Sequence, residues 1–332
     1  MITSSFIPTH IKRFFSEYLP QQRNCSLHTL RSYRDALRLF LLHLQKSNKI
    51  TADRVAVDDL SVENILQFLN NIQVARKNGN STRNARLAAI RCFVKYLLMV
   101  EPTLSSELQA ILAIPIKRTT RRVLDFLTQE ELQAILNTPN TETWSGKRDR
   151  ALFATMYNTG ARVSEIIGVI VSDVKLNPGG TLRLHGKGRK ERVLPLWSHT
   201  GKNISKWIAG NKLRDGEVLF PNARNAPITR SGVAKRLRLA VRAASKRCPS
   251  LKNKHVSPHT LRHTTAMHLL QSGVDITGVA MWLGHESIET THIYMTADLK
   301  MKEEALKTLQ SPRGGEFRFR PNAPLLTFLE SL

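Results

Sequence analysis

The chain has 332 residues, enough for two domains of ordinary size, and carries 50 basic against 26 acidic residues, a formal net charge of +24. Because both the first 118 residues and the remainder share this excess, a basic tail on a neutral enzyme is excluded, and a polyanionic partner, DNA or RNA, is expected. Apolar runs stay below the about 18 residues that a membrane-spanning helix needs, residues 1–6 have no leader pattern, and three widely spaced cysteines favour a reducing, cytoplasmic location.

Amphipathic helices are predicted across the first third of the chain. Residues 27–46 place Leu30, Leu37 and Leu44 on one face, and further helices are predicted from about residue 61 and over 81–99. Basic side chains recur on neighbouring faces of these helices and are candidates for contact with DNA phosphates: Arg31, Arg34, Arg83, Arg86 and Arg91. An ordinary solvated face is the alternative for any one stripe. The repetition favours a helical bundle that binds nucleic acid.

A change of composition marks a domain boundary near residue 120. Residues 114–124 contain four basic residues and a proline without apolar periodicity, which predicts a linker. Thr128 and Glu131 then have the spacing of a capping box that opens a new helix. We therefore predict a helical domain over 1–113, a linker over 114–124, a second domain over 125–310 and a C-terminal tail over 311–332.

The second domain is predicted to be mainly helical with one β-hairpin. A helix is expected over 148–157, strands 181–185 and 192–196 flank a glycine-rich basic turn, and further helices are expected over 276–283 and 288–296. Ser257 and Pro258 supply an N-cap and an N1 proline for a helix that ends before Gly273. The predicted fold class is thus mainly α with a small β-sheet or hairpin, an α+β fold.

Six residues of this domain match the chemical needs of cutting a DNA strand through a covalent intermediate. Such a reaction needs a hydroxyl nucleophile, fixed cations around the phosphate and a general acid for the leaving oxygen. The candidates occur in the order Arg162, Lys187, His259, Arg262, His285 and Tyr294. His259 and Arg262 share one helix face near the helix N-terminus, where an anion is favoured.

This ordered set, together with the stretches 159–165, 186–196 and 282–287, resembles the catalytic signature of tyrosine recombinases, the phage-integrase and Xer group. The resemblance is strong over about 125–300 and looser over about 8–100. Each element alone is weak, but the order and spacing make the set specific. The resemblance implies a helical core-binding, SAM-like domain and a catalytic domain that together form a C-shaped clamp around DNA.

The resemblance also implies a role for each cation. Arg162 and Arg262 would hold the non-bridging phosphate oxygens, because a guanidinium donates a planar pair of hydrogen bonds and stays charged. Lys187 would be the general acid for the leaving 5′-hydroxyl. Arg189 and Lys190, beside it on the hairpin, would add contacts to DNA.

The remaining site residues would act on the proton and on the covalent bond. Tyr294 would be the nucleophile that forms a 3′-phosphotyrosyl link, and His259 would assist proton transfer. His285 would bind the scissile phosphate, and Glu165 would orient the cations. A zinc site at His259 and His263 is the alternative for that helix, but Thr260 stands where a metalloprotease helix has glutamate.

The implied function is site-specific DNA recombination for the integration, excision or resolution of a mobile element, without a metal or other cofactor. The implied partners are a double-stranded DNA site, further copies of the chain in a tetramer on two sites, and an accessory or partner recombinase. A nucleoid-associated location and no membrane partner are expected, and segment 325–332 of the tail would dock into a neighbouring subunit. Alternatives are Xer-type housekeeping resolution of chromosome or plasmid dimers, a catalytically idle DNA-binding accessory factor, and a type IB topoisomerase.

Overall fold

The computed structural model describes residues 7–102, 105–119, 125–176, 179–186, 190–285 and 291. Its contacts divide the chain into two compact units, residues 1–121 and 122–332. The described residues are mainly helical and contain one three-stranded antiparallel sheet, which confirms the predicted α+β fold class. No described helix is both long and apolar enough to cross a membrane.

The first unit is a helical bundle, and serine side chains cap the N-termini of two of its helices. Ser26 and Ser61 each accept a hydrogen bond from a backbone N–H one turn later, which satisfies donors that the helix leaves unpaired. The described helices are Ile7–Arg13 (α1), continuing in wider turns over Phe14–Gln22, then Leu27–Asn48 (α2), Val62–Val74 (α3), Asn80–Val100 (α4) and Ser105–Ala113 (α5). The predicted helices over 27–46 and 81–99 are confirmed.

Four buried phenylalanines, Phe14, Phe40, Phe68 and Phe93, lie at the centre of the first unit. The rings of Phe14 and Phe93 meet edge to face at 5.2 Å, and those of Phe40 and Phe68 at 5.5 Å. Burial of each such side chain contributes about 1.5–3 kcal/mol. The core therefore depends on residues from α2, α3, α4 and the turns after α1.

The second unit combines a small three-stranded sheet with several helices. Its described helices are Gln129–Leu136 (α6), Trp144–Thr159 (α7), Val163–Ile166 (α8), Ser198–Asn211 (α9), Arg230–Ala244 (α10), Pro258–Gln271 (α11) and Ile276–Leu283 (α12). Its strands are Val174–Lys175 (β1), Thr181–His185 (β2) and Glu191–Pro195 (β3), in the order β1-β2-β3. Register pairs Thr181 with Pro195 and His185 with Glu191 at the two ends of the β2–β3 hairpin.

Local signals in the sequence locate several of these elements correctly. Thr128 and Glu131 form the predicted capping box of α6, and Ser257 caps α11 by accepting from the Thr260 N–H. The predicted hairpin and α12 are confirmed. Helices α1, α5, α8, α9 and α10 and the two-residue β1 were not predicted from the sequence. The predicted helix over 288–296 is described only at Thr291, and the tail over 311–332 lies outside the described residues.

Candidate active site

Arg262 lies on α11, buried, and is fixed by two backbone carbonyls. Its Nη1 donates to the Gly160 carbonyl at 2.7 Å and its Nη2 to the Leu283 carbonyl at 2.8 Å. Gly160 ends α7 in the left-handed region at φ +59°, and a Cβ there would lie 2.4 Å from a Leu283 methyl carbon. Only glycine suits such a position. The guanidinium is therefore held between the end of α7 and the end of α12.

Arg162, two residues after Gly160, contacts the same turn after α12. Its Nη2 donates to the Gly284 carbonyl at 3.3 Å, while Arg262 uses the preceding carbonyl, that of Leu283. Its side chain remains 37% exposed, against nearly complete burial of Arg262. The two arginines that the sequence selects thus meet on consecutive carbonyls directly before His285.

Glu165 is the carboxylate that these cations share. Its side chain is 3% exposed, and it accepts from the Arg162 backbone N–H at 2.8 Å and from Arg162 Nη1 at 2.9 Å. Arg192 adds a two-pronged contact of 3.1 and 2.7 Å. Burial opposes ionisation of Glu165, but hydrogen bonds from Arg192 and Arg162 outweigh it and lower the pKa of the carboxyl.

Arg192 is a site residue to which the sequence analysis gave no role. Besides binding Glu165, its Nε donates to the Trp282 carbonyl at 3.1 Å, so the side chain joins β3 to α8 and α12. Strand alternation contained a signal for it. Leu194 on β3 is buried and Val193 is exposed, so Arg192 shares the inward face of the strand. An arginine on such a face needs an acidic partner.

The described part of the site combines three guanidinium groups with one carboxylate and a neutral imidazole. Burial, followed by the positive charges of Arg262, Arg162 and Arg192, lowers the pKa of His285 to about 4. Its Nδ1 lies 2.7 Å from the Thr291 hydroxyl. At neutral pH the imidazole is therefore uncharged in a field that is positive overall. Such a field favours binding of an anion such as phosphate.

His259 and His263 occupy successive turns of α11. His259 is exposed, and the two ring centroids are 6.5 Å apart. Burial, followed by the neighbouring His259 and Arg262, lowers the pKa of His263 to about 4. Across the described ranges, no group of three or more His, Cys, Asp or Glu side chains is arranged to hold a metal ion. His268, five residues further, is buried, and its ring lies 3.0 Å from the Leu127 carbonyl.

Lys187, Arg189 and Tyr294 lie outside the described residues. The hairpin that carries the first two is described up to Gly186 and from Lys190, and the Gly186 N–H donates to the Lys190 carbonyl at 2.7 Å. A Cβ at Gly186 would lie 3.7 Å from Glu165 Oε1. The end of β2 that leads to Lys187 therefore lies beside the carboxylate that holds Arg162.

The arginines of the first unit differ in their surroundings. Arg31 is exposed, and Arg34 is exposed but ion-paired with its neighbour Asp35 at 2.8 Å. Arg86 donates to the Ser32 carbonyl on α2 at 3.1 Å. Arg31 and Arg34 thus have the exposure that the sequence analysis expected of DNA-contacting side chains.

Arg83 and Arg91 instead hold the start of the segment 114–118 against α4, and Asn80 and Asn84 hold its end. Arg83 is buried and donates to the Pro115 carbonyl at 3.3 Å, and Arg91 donates to the Ile114 carbonyl. Arg83, predicted to lie on a basic face that contacts DNA phosphates or solvent, is buried instead, because this segment covers its side of α4. The first half of the predicted linker is therefore bound to the first unit.

Two family models match the chain and together cover most of it. The model of the phage integrase family matches residues 125–301, and the model of the phage integrase N-terminal SAM-like domain matches residues 11–99. The chain belongs to the phage integrase family of tyrosine recombinases and is a site-specific DNA recombinase.

Named relatives agree with this assignment. The chain is 41% identical over 322 residues to y4rC of Sinorhizobium fredii, described as an integrase/recombinase, with 97% of both chains covered. It is 34% identical over 291 residues to tyrosine recombinase XerC of Pelobacter propionicus, with 86% of this chain and 90% of that protein covered.

Solved structures of low sequence identity share the fold. The XerH recombinase in its pre-cleavage complex with the difH substrate gives a TM-score of 0.66 at 23% identity, covering 89% of this chain and 83% of that one. The integrase of the Tn1549 transposon, in complex with transposon right end DNA, gives 0.68 at 13% identity, covering 90% and 98%.

Proposed function

We propose that the chain cleaves and rejoins double-stranded DNA at a recombination site through a 3′-phosphotyrosyl intermediate on Tyr294. The convergence of Arg162, Arg262 and His285 on the turn after α12 supports this most directly. Two guanidinium groups held by consecutive carbonyls suit the non-bridging oxygens of one phosphate. The local excess of positive charge suits the charge that grows on those oxygens during the reaction.

In this mechanism the phenolic oxygen of Tyr294 attacks phosphorus, forming one P–O bond while the bond to the 5′ oxygen breaks. Lys187 gives a proton to the leaving 5′ oxygen, and His259 accepts the phenol proton. Arg162 and Arg262 bind the non-bridging oxygens and stabilise the negative charge on them throughout the reaction. Rejoining reverses these steps, because the phosphotyrosyl bond conserves the phosphodiester energy and no high-energy cofactor has to supply it.

His285 and Glu165 have supporting parts in the proposal. A pKa of about 4 keeps His285 neutral at physiological pH, so it can donate one hydrogen bond to a phosphate oxygen without adding a fourth positive charge. Glu165 accepts hydrogen bonds from Arg162 and Arg192 and so fixes both side chains. We infer that its charge orients the cations without contacting DNA.

We infer that the chain acts as a homotetramer on two DNA sites. A lambda integrase dimer bound to a core site and a tetramer bound to a Holliday junction, both 17% identical to this chain, have the same fold. The net charge of +24 supports a DNA partner. In this proposal residues 1–113 bind DNA through Arg31 and Arg34, and residues 125–310 catalyse. Segment 325–332 docks into a neighbouring subunit, so deleting 321–332 weakens assembly and leaves single-site binding intact.

For the biological role we propose integration, excision or resolution of a mobile element. Xer-type dimer resolution is the second candidate, favoured by the 34% identity to XerC of Pelobacter propionicus. A plasmid deletion assay separates them. One plasmid would carry paired copies of the DNA that flanks the gene, and another would carry paired chromosomal dimer-resolution sites.

Deletion on the first plasmid alone supports the mobile-element role, and deletion on the second alone supports the Xer role. A Tyr294→Phe variant must give no product on either plasmid. Tight binding of wild-type protein to a verified site without deletion would contradict recombination and favour the accessory-factor alternative.

A further inference from the structure

His185 ends strand β2 two residues before Lys187, and both nitrogens of its ring face a carboxylate. Nε2 lies 3.0 Å from Asp173 Oδ1, and Nδ1 lies 3.0 Å from Glu191 Oε1. Glu191 is also the cross-strand partner of His185 in the β2–β3 register. The ring therefore joins both strands of the hairpin to the turn that precedes β1.

This geometry requires a protonated ring. A neutral imidazole has one N–H, whereas two carboxylate oxygens at hydrogen-bond distance need two donors, which only the imidazolium supplies. The hydrogen bond to Asp173 and the charge of that residue raise the pKa of His185, and Glu191 raises it further. Among the described residues, these two carboxylates, one from the preceding turn and one from β3, are the charged groups that face the ring.

Asp173 is the fixed end of this contact. Its side chain is 7% exposed, and its Oδ2 accepts from the Ile170 N–H at 3.1 Å, which fixes the carboxylate at the end of the 3₁₀ turn Val171–Asp173. Glu191, by contrast, is 51% exposed. The imidazolium thus ties the turn end of the hairpin to a carboxylate anchored in the second unit.

We propose that His185 is a positioning residue that clamps the turn end of the β2–β3 hairpin and so holds Lys187 at the leaving 5′ oxygen. The next backbone contact, from the Gly186 N–H to the Lys190 carbonyl, closes the base of the loop that carries Lys187. This inference rests on the proposed function, in which Lys187 is the general acid. General-acid catalysis depends on hydrogen-bond reach, so a loosened base lowers the rate of proton transfer.

A substrate whose leaving group needs no proton tests the clamp. Once the cleavage position is mapped, the 5′ bridging oxygen of the scissile phosphate is replaced by sulfur in a nicked oligonucleotide. A thiol has a pKa of about 8.5, so the P–S bond breaks with a thiolate leaving and no general acid is required. Rates of covalent adduct formation are compared on the oxygen and sulfur substrates for His185→Gln and Glu191→Gln. Lys187→Ala, Arg162→Ala and the exposed His199→Gln are controls.

We expect His185→Gln to slow cleavage of the oxygen substrate roughly two- to thirty-fold, the range that two exposed ion pairs can supply. The sulfur substrate should restore the rate of His185→Gln and Lys187→Ala but not that of Arg162→Ala. His199→Gln should match wild type on both substrates. An unchanged rate of His185→Gln on oxygen, or an equal loss on sulfur, would overturn the clamp. Absence of a Tyr294-linked adduct with wild-type protein on both substrates would instead overturn the proposed function.

Hydrogen exchange tests the clamp without any DNA. Backbone amides of the 181–195 peptide should exchange faster in His185→Gln and Glu191→Gln than in wild type or His199→Gln. Because the folded pKa of His185 is raised, the protection should be full below the ordinary histidine pKa and be lost as pH rises through the folded value. His185→Arg keeps a cation at every pH and should lack this loss. Equal exchange in wild type and His185→Gln would contradict the proposal.

Discussion

Replacing Glu165 by glutamine tests whether one buried carboxylate holds the arginine cluster together. The substitution keeps the shape of the side chain, removes its charge and places an amide NH₂ where an acceptor stood. Glu165 receives hydrogen bonds from the backbone and Nη1 of Arg162 and from both Nη atoms of Arg192. A glutamine amide cannot accept all of these contacts and would set its own donor against a guanidinium.

The expected loss of stability follows from the burial of the partners. Removing one member of a buried ion pair costs about 3–5 kcal/mol, because the other charge is left uncompensated. Arg192 is 14% exposed and dominates this cost, whereas Arg162 is 37% exposed and solvent compensates it in part. We therefore expect a loss near the lower limit, about 3 kcal/mol. That is a large share of the about 5–15 kcal/mol that stabilises a typical domain.

Urea unfolding followed by tryptophan fluorescence measures this loss in the second unit. All four tryptophans, Trp144, Trp197, Trp207 and Trp282, belong to residues 122–332. The exposed Glu142→Gln is the matched control and should change the free energy of unfolding by less than about 0.5 kcal/mol.

The same comparison has a defined pH dependence. Because the folded pKa of Glu165 is lowered, its stabilisation is present above the ordinary carboxyl pKa and is lost as pH falls through the folded value. The difference between wild type and Glu165→Gln should therefore shrink in acid. A difference below about 1 kcal/mol at pH 7, under the range for a broken buried pair, would refute the reasoning.

Three further substitutions have expected outcomes. Gly160→Ala should destabilise the second unit by more than about 1 kcal/mol, because its backbone is left-handed and the added Cβ would lie 2.4 Å from Leu283. The control Gly210→Ala in α9 adds a Cβ with no atom within 4 Å, and it should not destabilise the protein in the same urea assay. His263→Gln should reduce the loss of stability as pH falls from 6.5 toward 4, since the folded pKa of about 4 leaves the native ring neutral while the unfolded ring is protonated; an unchanged pH profile would contradict this. Arg192→Lys should slow covalent adduct formation about ten-fold or more, because lysine cannot make both hydrogen bonds to Glu165 and a lost charge-assisted hydrogen bond costs about 1.5–3 kcal/mol. A wild-type rate would show that Arg192 does not position the site.

Local patterns explain which parts of the fold could be predicted. The caps at Ser61, Thr128 and Ser257 depend on residues within one turn, so the starts of α3, α6 and α11 could be read from the sequence. Helix α7 begins at Trp144, four residues before the predicted start at 148. Its start was missed because the helix is buried on nearly every side, so no amphipathic pattern marks where it begins. Strand β1 has two residues, too few for any period.

Contacts between distant segments explain the rest. Periodicity located the outer face of α4 but could not show that residues 114–118 cover Arg83 there. The order of motifs selected Arg162 and Arg262, yet Arg162 contacts the turn after α12 across 122 positions, and Arg262 contacts the end of α7 across 102 positions. Strand alternation places Arg192 on the inward face of β3, but its partner Glu165 lies 27 positions earlier and no local pattern connects the two.

Covalent trapping on a nicked suicide substrate would show whether Tyr294 forms a covalent link to DNA. The substrate is DNA that flanks the gene, nicked near the candidate crossover point so that the released fragment diffuses away and cleavage cannot reverse. We expect a protein–DNA adduct on a denaturing gel that forms in EDTA, is absent with Tyr294→Phe and maps to a peptide containing Tyr294. An adduct that persists in Tyr294→Phe, or tight binding to a verified site with no adduct from wild-type protein, would contradict it.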